Sequence, residues 1–561
     1  MTFKPLSMLA LGAALASVPY CQTVLAAATK AQSDRPNILV VVADDLGYAD
    51  LGSYGGEIDT PNLDALAGSG IRFSNFHAEP ACSPTRAALL TGVDPHKAGL
   101  GNMAEELAPN QEGKPGYEGF LNDRVVSIAS LLKDSGYQTY LTGKWHLGKT
   151  EETSPAARGF DKSFALLVSG SHFDDMKPAY APTPDAKALY REGMTMLDKL
   201  PDNFEYSTQF YADQMIEYID ADKDSGKPFF AYLSYFAPHW PLQAPDAALK
   251  KYEGRYDEGY DAVIARRLQK QKELGLIPAD AEGAERPPKG KPWDELTAEQ
   301  QKIEKRQMEV YAAMVDQIDV HTGRLIDYLK ANDLYDNTVV LFISDNGPEG
   351  HDLDETWPAD QFPAIRKVID ETNDFSYEQM GRVGSYTFYG PSWAQASSPA
   401  FRLHKGFPTE GGTRVPAMLR MPDGARQGEI VHDLVTVRDV TPTLLELAAV
   451  EHPGTRYKDR DIEAMTGMSF ASLPKGDKMP ERVVGGELFG KRFVRAGGWK
   501  LVHMPEPWGT GEWNLYNLKT DLAERHDLAA QEPEKLAEMK ALWEQYAKDN
   551  NVILPDQVSG Y

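Results

Sequence analysis

Cysteine is nearly absent from this chain of 561 residues, which holds only Cys21 and Cys82. Cys21 falls in a segment expected to be removed, so the mature chain keeps one thiol. An internal disulfide is thereby excluded, and stability has to come from a buried core. Long apolar runs are scarce as well. The one near the start, Leu6 to Val18, follows Lys4 and precedes Ala26-Ala27-Ala28, the order of a secretory leader over residues 1–28. It is too short for a span, and no later stretch reaches the roughly 18 to 20 apolar residues a membrane crossing needs, so no membrane anchor is expected. The bulky Tyr20 before Cys21 argues against a lipoprotein-type cysteine. The expected product is exported and periplasmic.

Positive charge is the third shortage. Lys and Arg number 58 against 83 Asp and Glu, a net charge of −25, or −26 once Lys4 leaves with the leader. Such a balance excludes nucleic acid and an anionic membrane surface as partners. An anionic substrate would have to be drawn in by a local cluster of cations. Internal repeats and long low-complexity tracts are also missing, which leaves an ordinary globular composition with 42% hydrophobic residues.

Strand-like runs alternate with helix-like segments, the pattern of an α/β fold with a large, mostly parallel sheet sandwiched by helices. Asn37-Ile38-Leu39-Val40-Val41-Val42-Ala43 ends on Asp44-Asp45, and Thr338 to Ser344 ends on Asp345-Asn346-Gly347. Phe229 to Tyr235 runs into Ala237-Pro238-His239-Trp240, and Gln138 to Leu141 into Gly143-Lys144-Trp145-His146. Ligands of open α/β sheets sit beyond the carboxyl ends of the strands, so these four polar clusters are expected to form one site. Residues 253–310 and the acidic stretch 349–380 read as surface excursions or lids. Beyond residue 450, a hairpin over Arg492–Val502, a strand at Trp513–Leu518 and an amphipathic helix at Pro533–Asp549 predict a smaller antiparallel sheet with a closing helix. The division expected is a leader at 1–28, a catalytic domain at 29–450 and a C-terminal α+β subdomain at 451–561.

The chemistry-bearing residues are of two kinds. Asp44, Asp45, Asp345 and Asn346 are oxygen donors only, a set that suits Ca²⁺ or Mg²⁺ rather than zinc. Cys82 opens Cys82-Ser83-Pro84-Thr85-Arg86, followed by the helix-like Ala87-Ala88-Leu89-Leu90-Thr91-Gly92. Pro84 suits a first helical turn, which places Cys82 at a helix N-terminus where negative charge is favoured, with Arg86 one turn on along the same face. Lys144 and His146, two residues apart, would share one side of an extended segment. His239 lies between two prolines and Lys405 in Leu403-His404-Lys405-Gly406. Trp145, Trp240, Phe388, Tyr389 and Trp393 are aromatics near these motifs, candidates either for an aryl pocket or for the core.

The Cys-x-Pro-x-Arg signature and the other motifs in this order resemble the type I, formylglycine-dependent sulfatases of the alkaline phosphatase-like superfamily, close to bacterial arylsulfatases. Gly411-Gly412-Thr413-Arg414-Val415-Pro416 and Thr441-Pro442-Thr443 extend the likeness over nearly the whole mature chain. Thr85 stands where many relatives carry serine. The resemblance implies that Cys82 is oxidised to Cα-formylglycine by a maturation enzyme, and that its hydrate attacks sulfur and then expels sulfate. It implies one Ca²⁺ held by Asp44, Asp45, Asp345, Asn346 and modified Cys82. It also implies that Lys144 and Lys405 bind sulfate oxygens, that His146 holds the diol, and that His239 faces the leaving-group oxygen. Arg86 joins this catalytic group. The substrate implied is a small sulfate ester, cleaved at its S–O bond. Two alternatives remain at this point: a phosphonate or phosphate monoester hydrolase, and a sulfate-ester-binding protein whose Cys82 is never converted.

Overall fold

The computed structural model describes residues 1–2, 35–181 and 183–557. The expected leader and Cys21 lie outside the described residues.

Ten strands form the main sheet. Its centre is five parallel strands, ordered Thr338–Ser344, Asn37–Ala43, Phe229–Ser234, Gln138–Lys144 and Lys162–Leu166. Asn37–Ala43 is buried along its whole length, as expected of a strand covered on both faces. Its alternate side chains enter two separate cores. Leu39 and Val41 pack with Met215, Met314 and Ile318, while Ile38, Val40 and Val42 pack with Ala87, Leu90, Leu132 and Leu444. Two layers of helices therefore sandwich the sheet. One layer includes the 34-residue helix Ala298–Ala331, which starts at a capping box between Thr297 and Gln300. Antiparallel strands extend the sheet at both sides, Ala417–Arg420 beside Thr338–Ser344 and Tyr190–Glu192 beside Lys162–Leu166. The fold is the α/β sandwich read from the sequence.

The smaller C-terminal sheet is also present. Val483–Leu488, Lys491–Ala496, Trp499–His503 and Trp513–Asn517 form a four-stranded antiparallel sheet in chain order. The helix Pro533–Asp549 covers it, with Met539 and Trp543 packed on Val494, Leu501 and Leu515. Buried ion pairs tie this sheet to the main body: Lys500 lies 2.9 Å from Glu410, and His96 stands 3.3 Å from Glu487. No helix among the described residues is long and apolar enough to cross a membrane.

Candidate active site

The four central strands end at one edge and deliver Asp44, Lys144, Ser234 and Asp345 there, side by side. Cys82 opens the helix Cys82–Thr91, whose residues are all buried and which ends at Gly92 in the left-handed conformation. That helix points its N-terminus at the same edge. Arg86, one turn along and fully buried, is turned inward. Its Nε and Nη2 donate to Asp345 Oδ2 at 3.0 and 2.7 Å, and Nη1 donates to the Lys144 carbonyl at 2.9 Å and to Ser234 Oγ. Asp44 Oδ2 lies 3.6 Å from Nη2. One guanidinium thus ties together the ends of all four strands.

Lys144 places its ammonium 2.7 Å from Asp44 Oδ2. Burial alone would raise the Asp44 carboxyl, but Lys144, then His239, Arg86 and Lys405, outweigh it and hold Asp44 well below the ordinary range. Lys405 donates to Asp45 at 3.0 Å and lies 3.2 Å from Glu349. Asp45 is pushed up to about 8, first by burial and, against Lys405, by the neighbouring charges of Asp44, Glu349 and Asp345. Asp345 is raised to about 6, by burial and by Asp44. Its Oδ1 accepts from the Asp45 amide at 3.3 Å. Asn346 Nδ2 donates to Asp45 Oδ1 at 2.6 Å, which turns the amide oxygen of Asn346 the other way.

A divalent cation fits these donors. Asp44 Oδ1 and Asn346 Oδ1 are buried with no hydrogen-bond partner, an arrangement that costs free energy unless something else satisfies them. One ligand atom from each of Asp44, Asp45, Cys82 and His239 lies within 4.8 Å of the others. The charges point the same way. Asp44, Asp45, Asp345 and Glu349 are faced by Arg86, Lys144 and Lys405, four carboxylates against three cations. With all four ionised, a bound divalent cation turns that deficit of one into an excess of one, which an anionic ester can meet.

A small cleft above this layer is lined by Cys82, Lys144, His146, His239 and Lys405, and walled by Tyr180, Trp240 and Trp357. Five of the six residues expected in catalysis meet in it; Arg86 lies behind. Lys144 is the last residue of its strand, and His146 beyond it takes a positive φ of 58°. Strand alternation therefore does not explain why both face the cleft, as the spacing had predicted. A left-handed turn does. His146 Nε2 lies 3.3 Å from Glu105 Oε2, and Glu105 is held at about 2 against burial by His146 and Lys149. His239 Nδ1 donates to the Trp240 carbonyl at 2.6 Å, and Nε2 stands 3.7 Å from Asp45 Oδ2. Burial, then Lys405 and Lys144, push the His239 imidazole well below its ordinary value. The Cys82 thiol is pushed up, by burial and then by Asp44, so it is not a thiolate here.

Of the nearby aromatics, Trp240 lines the cleft and Phe388 packs against it at 5.2 Å. Trp145, Tyr389 and Trp393 belong to the main cores. Residues 253–310 supply no side chain to the cleft, whereas 349–380 supplies Trp357. Sequence reasoning missed Glu349, Glu105 and Ser234. Glu349 had a signal, four residues after Asp345 on one loop; Glu105 had none.

A mostly parallel sheet with an oxygen-donor layer, two lysines and a cysteine at the first position of a helix, all at its carboxyl edge, defines a hydrolase of the alkaline phosphatase-like superfamily. A family model described as Sulfatase matches residues 36–450. The chain belongs to the sulfatase family and is a sulfuric ester hydrolase. It is 43% identical over 535 residues to an uncharacterized sulfatase of Schizosaccharomyces pombe, covering 93% of this chain and 95% of that one. It is 39% identical over 452 residues to an arylsulfatase of Klebsiella aerogenes, covering 79% and 93%. A crystal structure of Ps i-CgsB in complex with k-i-k-neocarrahexaose superposes with a TM-score of 0.63 at 25% identity, over 93% of this chain and 95% of that one. The phosphonate monoester hydrolase of Agrobacterium radiobacter shares the fold, with a TM-score of 0.51 at 18% identity over 92% and 94%.

Proposed function

We propose that the protein is an arylsulfatase-type enzyme that cleaves the S–O bond of small sulfate esters, releasing an alcohol or phenol and inorganic sulfate. The observation that carries this reading is one cleft in which Cys82, Lys144, His146, His239 and Lys405 meet, with Lys144 on Asp44, Lys405 on Asp45, and Asp345 and Asn346 bonded to Asp45. Cys82 converted to formylglycine would supply the hydroxyl nucleophile, and Ca²⁺ held by the four oxygen donors with residue 82 would polarise the sulfuryl oxygens. The side chains of the cleft do the rest. Lys144 and Lys405 present compact positive charge to a tetrahedral anion, and His146, braced by Glu105, orients residue 82. His239, its Nδ1 committed to Trp240, presents Nε2 for proton transfer at the leaving oxygen. Arg86 acts behind them by fixing Asp345. Residues 29–450 form the catalytic domain in this reading, with 451–561 as its subdomain.

Cys82 is 1% exposed, so a maturation enzyme has to act on the chain before it folds. The test is the mass of the peptide containing residue 82, together with turnover of p-nitrophenyl sulfate against the matching phosphate and phosphonate esters. An aldehyde mass and preference for the sulfate support the reading. An unconverted thiol in a preparation that binds but does not hydrolyse the ester would point to a binding protein, and preference for a phosphoryl ester would point to the rival hydrolase. Cys82→Ala is expected to keep the fold and lose turnover.

A further inference from the structure

The strand that ends in Asp345 continues into a loop that does two jobs. Asp345 and Asn346 face Asp45, and Glu349, four residues on, turns toward Lys405, where Oε2 lies 3.2 Å from Nζ. The other oxygen, Oε1, accepts from the His351 amide at 2.9 Å and lies 2.7 Å from His351 Nδ1, so the carboxylate is fixed at both ends. The two chain segments are locked together as well. The Lys405 amide donates to the Pro348 carbonyl at 3.0 Å, and the His351 and His404 rings meet edge to face at 4.7 Å. Gly350 lies so close to the His404 ring that an added Cβ would stand 2.4 Å from it. At Gly347 an added Cβ would stand closer still, 1.9 Å from the Gly411 carbonyl oxygen. Neither glycine can carry a side chain without opening this joint.

We propose that Glu349, braced by His351, is the positioning residue for Lys405 in sulfate binding. The inference rests on the reading above, in which Lys405 contacts the sulfuryl oxygens. Asp45, the other carboxylate on Lys405, also belongs to the cation-binding set. A carboxylate shared with a divalent cation is a weak counter-ion for a lysine, and the cation itself repels the ammonium. Glu349 is not part of that set. It holds Lys405 against this repulsion, in a place suited to an anion. Lys405 and His351 in turn keep Glu349 well below the ordinary carboxylate range although it is buried. The Glu349 carboxylate lies beneath Lys405 and does not line the cleft, so it acts through the lysine and not on substrate.

The test uses the calcium-loaded protein and two readouts, KM for p-nitrophenyl sulfate and the inhibition constant of inorganic sulfate. Glu349→Gln preserves shape and removes charge. It is expected to raise both constants about tenfold, the loss appropriate to one charge-assisted hydrogen bond, with calcium content unchanged. Lys405→Ala alone is expected to raise them at least as far, and the double variant to add little, since the two residues act as one unit. His351→Phe gives a second route should Glu349→Gln fold poorly, because it removes the ring contact at Oε1 and leaves the backbone amide and the carboxylate in place; a smaller rise in both constants is expected. Unchanged sulfate inhibition in Glu349→Gln or, failing that, in His351→Phe, with Lys405→Ala impaired, overturns the positioning role alone. Additive effects in the double variant do the same. Unchanged sulfate inhibition in Lys405→Ala overturns both this inference and the reading beneath it.

Discussion

Arg86 grips Asp345 with two nitrogens on one carboxylate oxygen, at 3.0 and 2.7 Å, across 259 positions of sequence and with neither side chain exposed. This pair joins the helix that carries Cys82 to the strand whose end carries Asp345 and Asn346. It is the mechanical link between the expected nucleophile and the expected metal donors.

Breaking that pair leaves a buried charge uncompensated. Arg86→Ala is expected to cost about 3 to 5 kcal/mol of folding stability. Arg86→Lys keeps the charge but loses the planar fork that reaches Asp345, Ser234 and the Lys144 carbonyl together. It is expected to fold with a lower Tm and with weaker calcium binding, measured by thermal unfolding and by calcium titration. An unchanged Tm and calcium affinity in Arg86→Lys would show that the fork is dispensable.

Asn346 contributes an oxygen with no hydrogen-bond partner beside three carboxylates. Asn346→Ala should therefore lower calcium affinity and turnover together, with the fold retained. Elemental analysis is expected to find about one calcium per chain in the unaltered protein, and chelation is expected to abolish turnover. Full activity after chelation contradicts the proposed metal role.

His239 is expected to matter most when the departing oxygen is basic. His239→Ala should lower kcat more for esters of poor leaving groups than for nitrophenyl sulfate, because nitrophenolate needs little protonation as it departs. The measurement is the dependence of kcat/KM on leaving-group pKa. Equal slopes for the two proteins would remove His239 from proton transfer and leave it a binding residue.

A pH effect on stability is expected at a buried histidine that does not line the cleft. His96 lies between Asp94 at 2.9 Å and Glu487 at 3.3 Å, joining the main body to the C-terminal sheet. Burial works against its charge, but the hydrogen bonds to Asp94 and Glu487 prevail and raise it to about 9, from an ordinary 6.5. Because the folded value is the higher one, the contribution is complete below about pH 6.5 and lost as pH rises through 9. The full effect is on the order of 3 kcal/mol. Tm is expected to fall over that window, and the fall should flatten in His96→Gln. The same slope in both proteins would assign the pH dependence to other groups.

The sequence by itself determined the layered α/β class, the smaller C-terminal sheet and five of the side chains that meet in the cleft. Those features live in local pattern: uniformly apolar strands such as Asn37–Ala43, and polar residues placed where each strand ends. The rule that ligands gather at the carboxyl edge then brings distant motifs together without coordinates. Only the tertiary structure decided what each charged side chain faces. Arg86 turned inward to four strand ends, His146 reached the cleft through a left-handed turn, and Glu349 came to lie under Lys405. Such partnerships depend on side-chain directions set by packing between segments hundreds of residues apart. Spacing along one chain carries no record of them.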